Sequence, residues 1–220
     1  MPARLPIFPL STVLFPGTPL PLHIFEPRYR QMLADCLAGD RCFGITPVGA
    51  RTEAPDPGAV GCTAEVRVNQ ELPDGRSNIV VLGGSRFVVV HLLDEPLPYH
   101  VAAVEDFADE SGPAPDPDRA EAMRALFLRY AALARELNDL EPEAPELPDD
   151  PAELSFHVAA AIDVDASAKQ RLLAERSGRR RVEALASVLP ALIRAAEQAL
   201  VIHRRAHTNG RGGARPTLAG

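Results

Sequence analysis

Few side chains in this chain have both the type and the spacing that covalent chemistry requires. Lys169 is the only lysine. A phosphate-binding loop needs the pattern Gly-x-x-x-x-Gly-Lys-Ser/Thr, but Lys169 lies between Ala168 and Gln170. A serine–lysine dyad would need this same lysine as its base, beside a positioned serine, and no motif supplies that pair. The sequence therefore predicts no nucleotide hydrolysis, no catalytic residues and no enzymatic activity.

The side chains that commonly bind metals are also poorly arranged. His203 and His207 are four residues apart and share one helix face, but two ligands do not complete a zinc site. Cys36, Cys42 and Cys62 contain no Cys-x-x-Cys pair. An odd number of cysteines without a leader segment is typical of reduced thiols in the cytoplasm. We therefore expect no metal, no cofactor and a cytoplasmic protein.

Aromatic and charged side chains that could bind a peptide cluster between residues 23 and 30. Phe25 and Tyr29 offer apolar contacts, and Arg28 suits a carboxylate or a backbone carbonyl. The alternative is structural, because an arginine–glutamate pair could equally fix a helix to a sheet, and a single histidine often has a hydrogen-bonded structural role. The predicted substrate-binding residues are Phe25, Glu26, Arg28, Tyr29, His23 and Arg86.

The first half of the chain is predicted to position these residues on short strands and one helix. Six prolines interrupt residues 5–30, so neither a membrane helix nor a long core helix can run through this segment. Pro27 suits the first position of a helix with a single apolar face. Residues 60–69 alternate as a half-buried strand does. Further strands are predicted at 42–48, 78–82, 86–93 and 99–105, with Gly83-Gly84 separating the middle two. Short strands joined by turns predict a closed or partly closed barrel over residues 1–106.

The second half is predicted to be helical. An acidic, proline-rich linker at 107–118 has too few large apolar side chains to build a core. Asp116, Asp150 and Asp165 are placed to cap helices of a bundle that spans residues 119–206. Residues 207–220 are predicted to form a disordered tail. The predicted fold class is α+β.

Charge is distributed unevenly along the chain. The formal net charge is −7, which disfavours broad binding to nucleic acids. Residues 107–150 carry four basic and twelve acidic side chains, whereas residues 151–220 carry eleven basic and six acidic ones. Arg179-Arg-Arg181 and Arg204-Arg205 are interpreted as a solvated face of the last helix, with pairing to the acidic loop 138–149 or to an acidic partner as the alternative.

Several short sequence motifs, in a fixed order along the chain, resemble those of a known family. These motifs are Leu5-Pro-Ile-Phe-Pro-Leu10, Val13-Leu-Phe-Pro-Gly17, Leu20-Pro-Leu-His-Ile-Phe-Glu-Pro-Arg-Tyr29, Leu72-Pro-Asp-Gly-Arg76, Gly84-x-Arg86-Phe87 and Lys169-Gln-Arg-Leu-Leu-Ala-Glu175. The chain resembles the amino-terminal substrate-recognition domain of the Lon proteases over nearly all of residues 5–200. The resemblance implies a PUA-like β-barrel followed by a helical bundle. Because motifs for the family's ATPase and protease domains are missing, the chain resembles a stand-alone form of the domain.

The resemblance also implies a function. We expect a non-catalytic module that binds unfolded or extended protein segments, with a protease or chaperone as a further partner and no membrane. A barrel edge could add a strand of client backbone while an adjacent groove takes its side chains. Two alternatives remain: an RNA-binding PUA-like domain, which the acidic charge disfavours, and a regulatory module that binds a small molecule in an apolar pocket.

Overall fold

The fold is α+β, as predicted, and the part of the chain that the structure describes combines one mixed sheet with five helices. The computed structural model describes residues 2–209, with side chains as far as Arg204. The strands are β1 (Ala3–Leu10), β2 (Pro19–Ile24), β3 (Cys42–Pro47), β4 (Val60–Glu71), β5 (Ser77–Leu93) and β6 (His100–Asp106). The helices are α1 (Pro27–Ala38), α2 (Pro117–Leu137), α3 (Pro151–Ala161), α4 (Ala166–Ala174) and α5 (Gly178–Asn209).

The strands pair in the order β2-β5-β4-β3-β1-β6, and β5 also pairs with β6. Five strands therefore follow one another in a closed ring of pairings, while β2 is attached to β5 alone. β1 and β3 are parallel, and the other neighbours are antiparallel. Among the described strands, this topology leaves β2 as the free edge, immediately before α1.

The sequence prediction of two strands at 78–82 and 86–93 was wrong, because β5 is one continuous strand. Its glycines serve close approach rather than a break. The N–H of Gly17 donates to the carbonyl of Gly83 (2.8 Å), and the N–H of Gly83 donates to the carbonyl of Thr18 (2.9 Å). A Cβ atom on Gly83 would lie 2.0 Å from the carbonyl oxygen of Phe15. Only glycine lets the β1–β2 loop lie this close to the strand.

Helix α1 forms where the sequence predicted it. Pro27 occupies its first turn, where a missing N–H costs nothing. The buried face of α1 packs into the core that fills the sheet, together with side chains from β1 to β5. The buried residues of α1 are Tyr29, Met32, Leu33 and Cys36.

The helical half begins each of its first three helices at a predicted cap. The carboxylates of Asp116, Asp150 and Asp165 each accept hydrogen bonds from backbone N–H groups of the following turn, which satisfies donors that a helix start leaves unpaired. The core of this half also contains Phe15 and Val60 from the strand half. The core of the helical half therefore extends onto the strand half through these two side chains.

Helix α5 is the long helix of the fold and contains Pro190. One of its stripes, which includes Val182, Leu185, Leu189 and Ile193, is buried in the helical core. Over 178–204 the helix is long and apolar enough to cross a membrane, a test that core helices of soluble proteins also pass. The helix continues to Asn209, and the rest of the predicted tail, 210–220, lies outside the described residues.

Candidate functional site

Strand β2 is exposed at its outer edge but offers little there for backbone pairing. The carbonyl of Thr18 accepts from β5, and backbone groups alternate in direction along a strand. The backbone groups of Pro19, Pro21 and His23 therefore point away from β5. Proline has no N–H to donate, so the N–H of His23 is the single outward donor of this strand. Prolines placed in this way protect sheet edges from unwanted pairing.

An exposed apolar row crosses the outer face of the sheet beside this edge. Pro21 lies opposite Val80 on β5, and Val80 lies opposite Val68 on β4. Val68 is 54% exposed and Phe25, which follows β2, is 58% exposed. The His23 and Phe25 rings stack with their centroids 6.0 Å apart. Apolar groups grouped in this way are the usual mark of a binding surface. We call these five residues the Phe25 surface.

Ion pairs hold the turn between β2 and α1. The Arg28 guanidinium contacts the carboxylates of Glu26 and Glu53 at 2.8 Å each and lies 4.6 Å above the Tyr29 ring. Its hydrogen bond to Glu53 is the main reason that the pKa of Arg28 is raised. The structural alternative considered for the Glu26–Arg28 pair is therefore present. Both side chains stay partly exposed and border the Phe25 surface.

Tyr29 lies beneath this turn. It is 4% exposed, its ring centroid is 4.2 Å from that of Phe8, and burial raises the pKa of its hydroxyl. Next to it, a groove of about 470 Å³ runs between α1 and the β4–β5 hairpin and includes Pro27, Arg30 and Ser77 in its lining. Tyr29 supports the junction from inside, while the groove continues the exposed surface along α1.

His23 is held by a neighbouring strand. Its Nδ1 atom lies 2.7 Å from the amide oxygen of Asn78, the residue opposite it on β5. This contact orients the imidazole ring on the outer face, where it stacks on Phe25. The histidine thus has a positioned, hydrogen-bonded role, and it also forms part of the exposed surface.

Arg86 lies apart from this surface, in a buried cluster that joins the two halves of the chain. It is 5% exposed and Arg181 is fully buried. Both guanidiniums bind the carboxylate of Asp109, Arg181 through two bonds of 2.8 and 2.7 Å. Arg86 also donates to the carbonyls of Leu173 (2.7 Å) and Glu175 (2.9 Å). The cluster ties β5, the segment after β6 and the helices together.

The electrostatics of this cluster follow from burial and pairing. Burial lowers the pKa of Arg86, and the Asp109 carboxylate opposes that effect. Burial alone would raise the pKa of Asp109, but its bonds and charges with Arg181 and Arg86 hold the pKa below its usual value. The guanidinium of Arg181 also lies 4.0 Å above the Phe156 ring, a favourable cation–π geometry. The interpretation of Arg181 as part of a solvated face was wrong.

The remaining side chains that could be reactive are buried or hydrogen-bonded within the fold. Burial raises the pKa values of Cys36 and Cys62 to about 12. Lys169 donates to the carbonyl of Ala160 near the end of α3 (2.8 Å). Within the described part of the chain, no group of three His, Cys, Asp or Glu side chains is placed to hold a metal ion. The side chain of His207 lies outside that part.

Comparison with known proteins gives one consistent family. A family model described as the ATP-dependent protease La (Lon) substrate-binding domain matches residues 4–190. The Lon protease of Anaeromyxobacter dehalogenans is 34% identical over 186 residues, which cover 79% of this chain and 21% of that protein. Lon protease 2 of Myxococcus xanthus is 32% identical over 186 residues, with shares of 79% and 22%. The chain thus spans about a fifth of the length of these relatives.

Two solved structures share the fold. A Lon N-terminal domain protein from Xanthomonas campestris superposes with a TM-score of 0.63 at 23% identity, covering 83% of this chain and 96% of that one. The N-terminal domain of a Lon protease from the Mycobacterium avium complex gives 0.62 at 18% identity, covering 86% and 98%. At these identities the superpositions establish the fold alone. Taken with the family model and the relatives above, they show that this chain belongs to the Lon substrate-binding domain family.

Proposed function

We propose that this chain binds unfolded or extended segments of other proteins at the Phe25 surface and catalyses no reaction on them. The observation that carries the proposal is the 58% exposure of Phe25, stacked on His23 at the end of β2, whose outer face also carries Pro21 next to Val80 and Val68, in a family defined by substrate binding. Unfolded segments expose the apolar side chains that such a surface covers. The free energy comes from apolar burial, about 25 cal/mol per Å².

The mode of binding follows from the lack of N–H donors at the outer edge of β2. Strand addition needs alternating donors and acceptors along the edge strand, and Pro19 and Pro21 remove two of the three outward donors of β2. We therefore propose that clients are held through their side chains, by Phe25 and His23 on the outer face and by the groove along α1. Glu26 and Arg28 border the site, while Tyr29 and Arg86 act as positioning residues.

The remaining aspects of the proposal come from the family. The closed ring of five strand pairings supports a PUA-like barrel with a helical bundle after it, and the relatives named as proteases suggest a protease or chaperone that receives the client in the cytoplasm. Among the alternatives, RNA binding is disfavoured by the net charge of −7, because phosphate backbones are attracted by basic surfaces.

The test is the fluorescence anisotropy of a labelled, permanently unfolded model protein. We expect saturable binding with a Kd of about 10–100 µM, since ordering the client opposes association. Phe25→Ser should weaken it about tenfold. The matched control is Val48→Ser, which removes an apolar side chain of comparable exposure (47%) that belongs to neither binding surface. Absence of saturable binding, or an equal loss in both variants, would contradict the proposal.

A further inference from the structure

A second apolar cleft lies on the helical half, between α2 and the loop that follows it. Its volume is about 710 Å³, which is in the usual range for ligand sites. Leu128 on α2 and Leu140 on the loop are 37% and 54% exposed there. The other apolar residues of the lining are Ala132, Pro142, Ala144 and Pro145. Neither the Phe25 surface nor the groove along α1 shares a residue with this cleft.

The loop that forms the outer wall is held in place. Arg135 on α2 donates to the carbonyl of Glu141 (2.8 Å) and to the carboxylate of Glu143 (2.9 Å). Arg124, three turns earlier on α2, donates to the carbonyl of Pro148 (2.6 Å). The prolines of the loop restrict its backbone further. A ligand that enters the cleft therefore does not have to order the loop first, which lowers the free-energy cost of binding.

The rim of the cleft is acidic. The lining contains four acidic side chains, Glu136, Asp139, Glu141 and Glu143, and one basic side chain, Arg135. Arg135 pairs with Glu143, and Arg204 and His203 on α5 contact Glu136 and Asp139. Among the described residues, the acidic side chains therefore outnumber the arginines at the cleft by four to two. This charge repels nucleic acids and anionic membrane surfaces and attracts cationic partners. The ligand that complements both properties has a large apolar side chain for the floor and basic side chains on either side of it for the rim.

We infer that the α2–loop cleft binds a basic segment of a partner protein through one large apolar side chain flanked by arginine or lysine. This goes beyond the proposed function, because it gives the chain a second binding surface of different chemistry. Clients would be held at the Phe25 surface by apolar contacts, and a partner would be recognised at the cleft by charge and one apolar anchor.

The experiment uses the full chain and a fluorescein-labelled peptide in which one tryptophan is flanked on each side by arginines. We expect saturable anisotropy with a Kd below about 100 µM at low salt, weakened several-fold at about 0.5 M salt because the rim charges are exposed and screened. Peptides with serine for the tryptophan, or with glutamate for the arginines, should each bind at least about tenfold more weakly.

Two protein variants localise the binding. Leu140→Ser should weaken the arginine–tryptophan peptide about tenfold, and Glu141→Arg should weaken it through the rim charge. Val48→Ser, which removes a 47% exposed side chain outside both surfaces, should leave it unchanged. The thermal midpoint of Leu140→Ser should match that of the parent chain, because this side chain is exposed.

The inference would be overturned by no saturable binding, by binding unaffected by Leu140→Ser, or by equal binding of the serine peptide. A dimer in light scattering that Leu140→Ser dissociates would also overturn it, because a second copy would then occupy the cleft. Failure here with successful client binding at Phe25 would leave the proposed function standing, and the reverse result would separate the two proposals equally well.

Discussion

Asp109→Asn is expected to destabilise the fold strongly, because it leaves two buried guanidiniums facing each other without a carboxylate. Arg86 is 5% exposed and Arg181 is fully buried, so water cannot replace the lost charge. Removing one partner from a fully buried ion pair costs about 3–5 kcal/mol. The side chain of Asp109 is 31% exposed, which reduces the expected loss to about 2–3 kcal/mol.

The assay is urea denaturation followed by circular dichroism, with thermal melts as a second measurement. A loss of this size should lower the thermal midpoint by about 5–10 °C in a chain of this length. Glu110→Gln is the matched control, because it removes the same charge from the neighbouring position. Its pair with Arg176 spans 3.5 Å between largely exposed side chains and should contribute less than about 0.5 kcal/mol.

The pH dependence gives an independent check. The folded-state pKa of Asp109 lies below that of an unfolded aspartate, about 3.9. Its stabilising contribution is therefore complete above that value and is lost as the pH falls through the folded-state pKa. Between about pH 5 and about pH 3, a range that spans the unfolded-state pKa of about 3.9, the parent chain should lose more stability than Asp109→Asn. Equal effects of Asp109→Asn and Glu110→Gln, or parallel pH profiles, would refute the reasoning.

Two further predictions concern the free edge and the thiols. Replacing Pro19 and Pro21 together with valine restores two outward N–H donors on β2, so the variant should self-associate at concentrations at which the parent chain does not. Equal sedimentation profiles of the two proteins would contradict the idea that these prolines prevent strand pairing at the β2 edge. Cys36 and Cys62 are buried with pKa values of about 12, and Cys42 is half-buried. We use iodoacetamide at about pH 8, close to the pKa of an unperturbed thiol, about 8.5. Peptide mass spectrometry should then show modification of Cys42 alone in the folded chain and of all three thiols in denaturant.

Features that depend on short-range sequence signals were predictable. Helix α1 begins at its proline and buries the predicted face, and the caps at Asp116 and Asp150 form as expected. Each depends on residues within one or two turns of each other, so spacing alone reveals them. Phe25 is 58% exposed, although apolar side chains are more often buried; its role as a substrate contact, inferred from its position at a strand–helix junction, stays a prediction.

Features that depend on contacts between distant residues were not predictable from the sequence. Gly83 looks like a strand break in sequence, and only the approach of the β1–β2 loop explains why β5 continues through it. Asp109 lies in a segment that reads as a linker, and Arg181 lies in a basic run that reads as solvated. The contacts of Asp109 with Arg181 and with Arg86 span 72 and 23 residues of chain, and no periodicity or local spacing signals a pairing of that kind.

The same cluster bears on how two binding surfaces would work together. The Phe25 surface belongs to the strand half and the α2–loop cleft belongs to the helical half. Phe15 and Val60 of the strand half are buried in the core of the helical half, and the Arg86–Asp109–Arg181 cluster connects the two halves. A hinge between them would have to expose these groups, at the cost of several kcal/mol. The distance between a held client and a docked partner would therefore be fixed by the fold, so that delivery would depend on the orientation of the docked chain and not on movement between its halves.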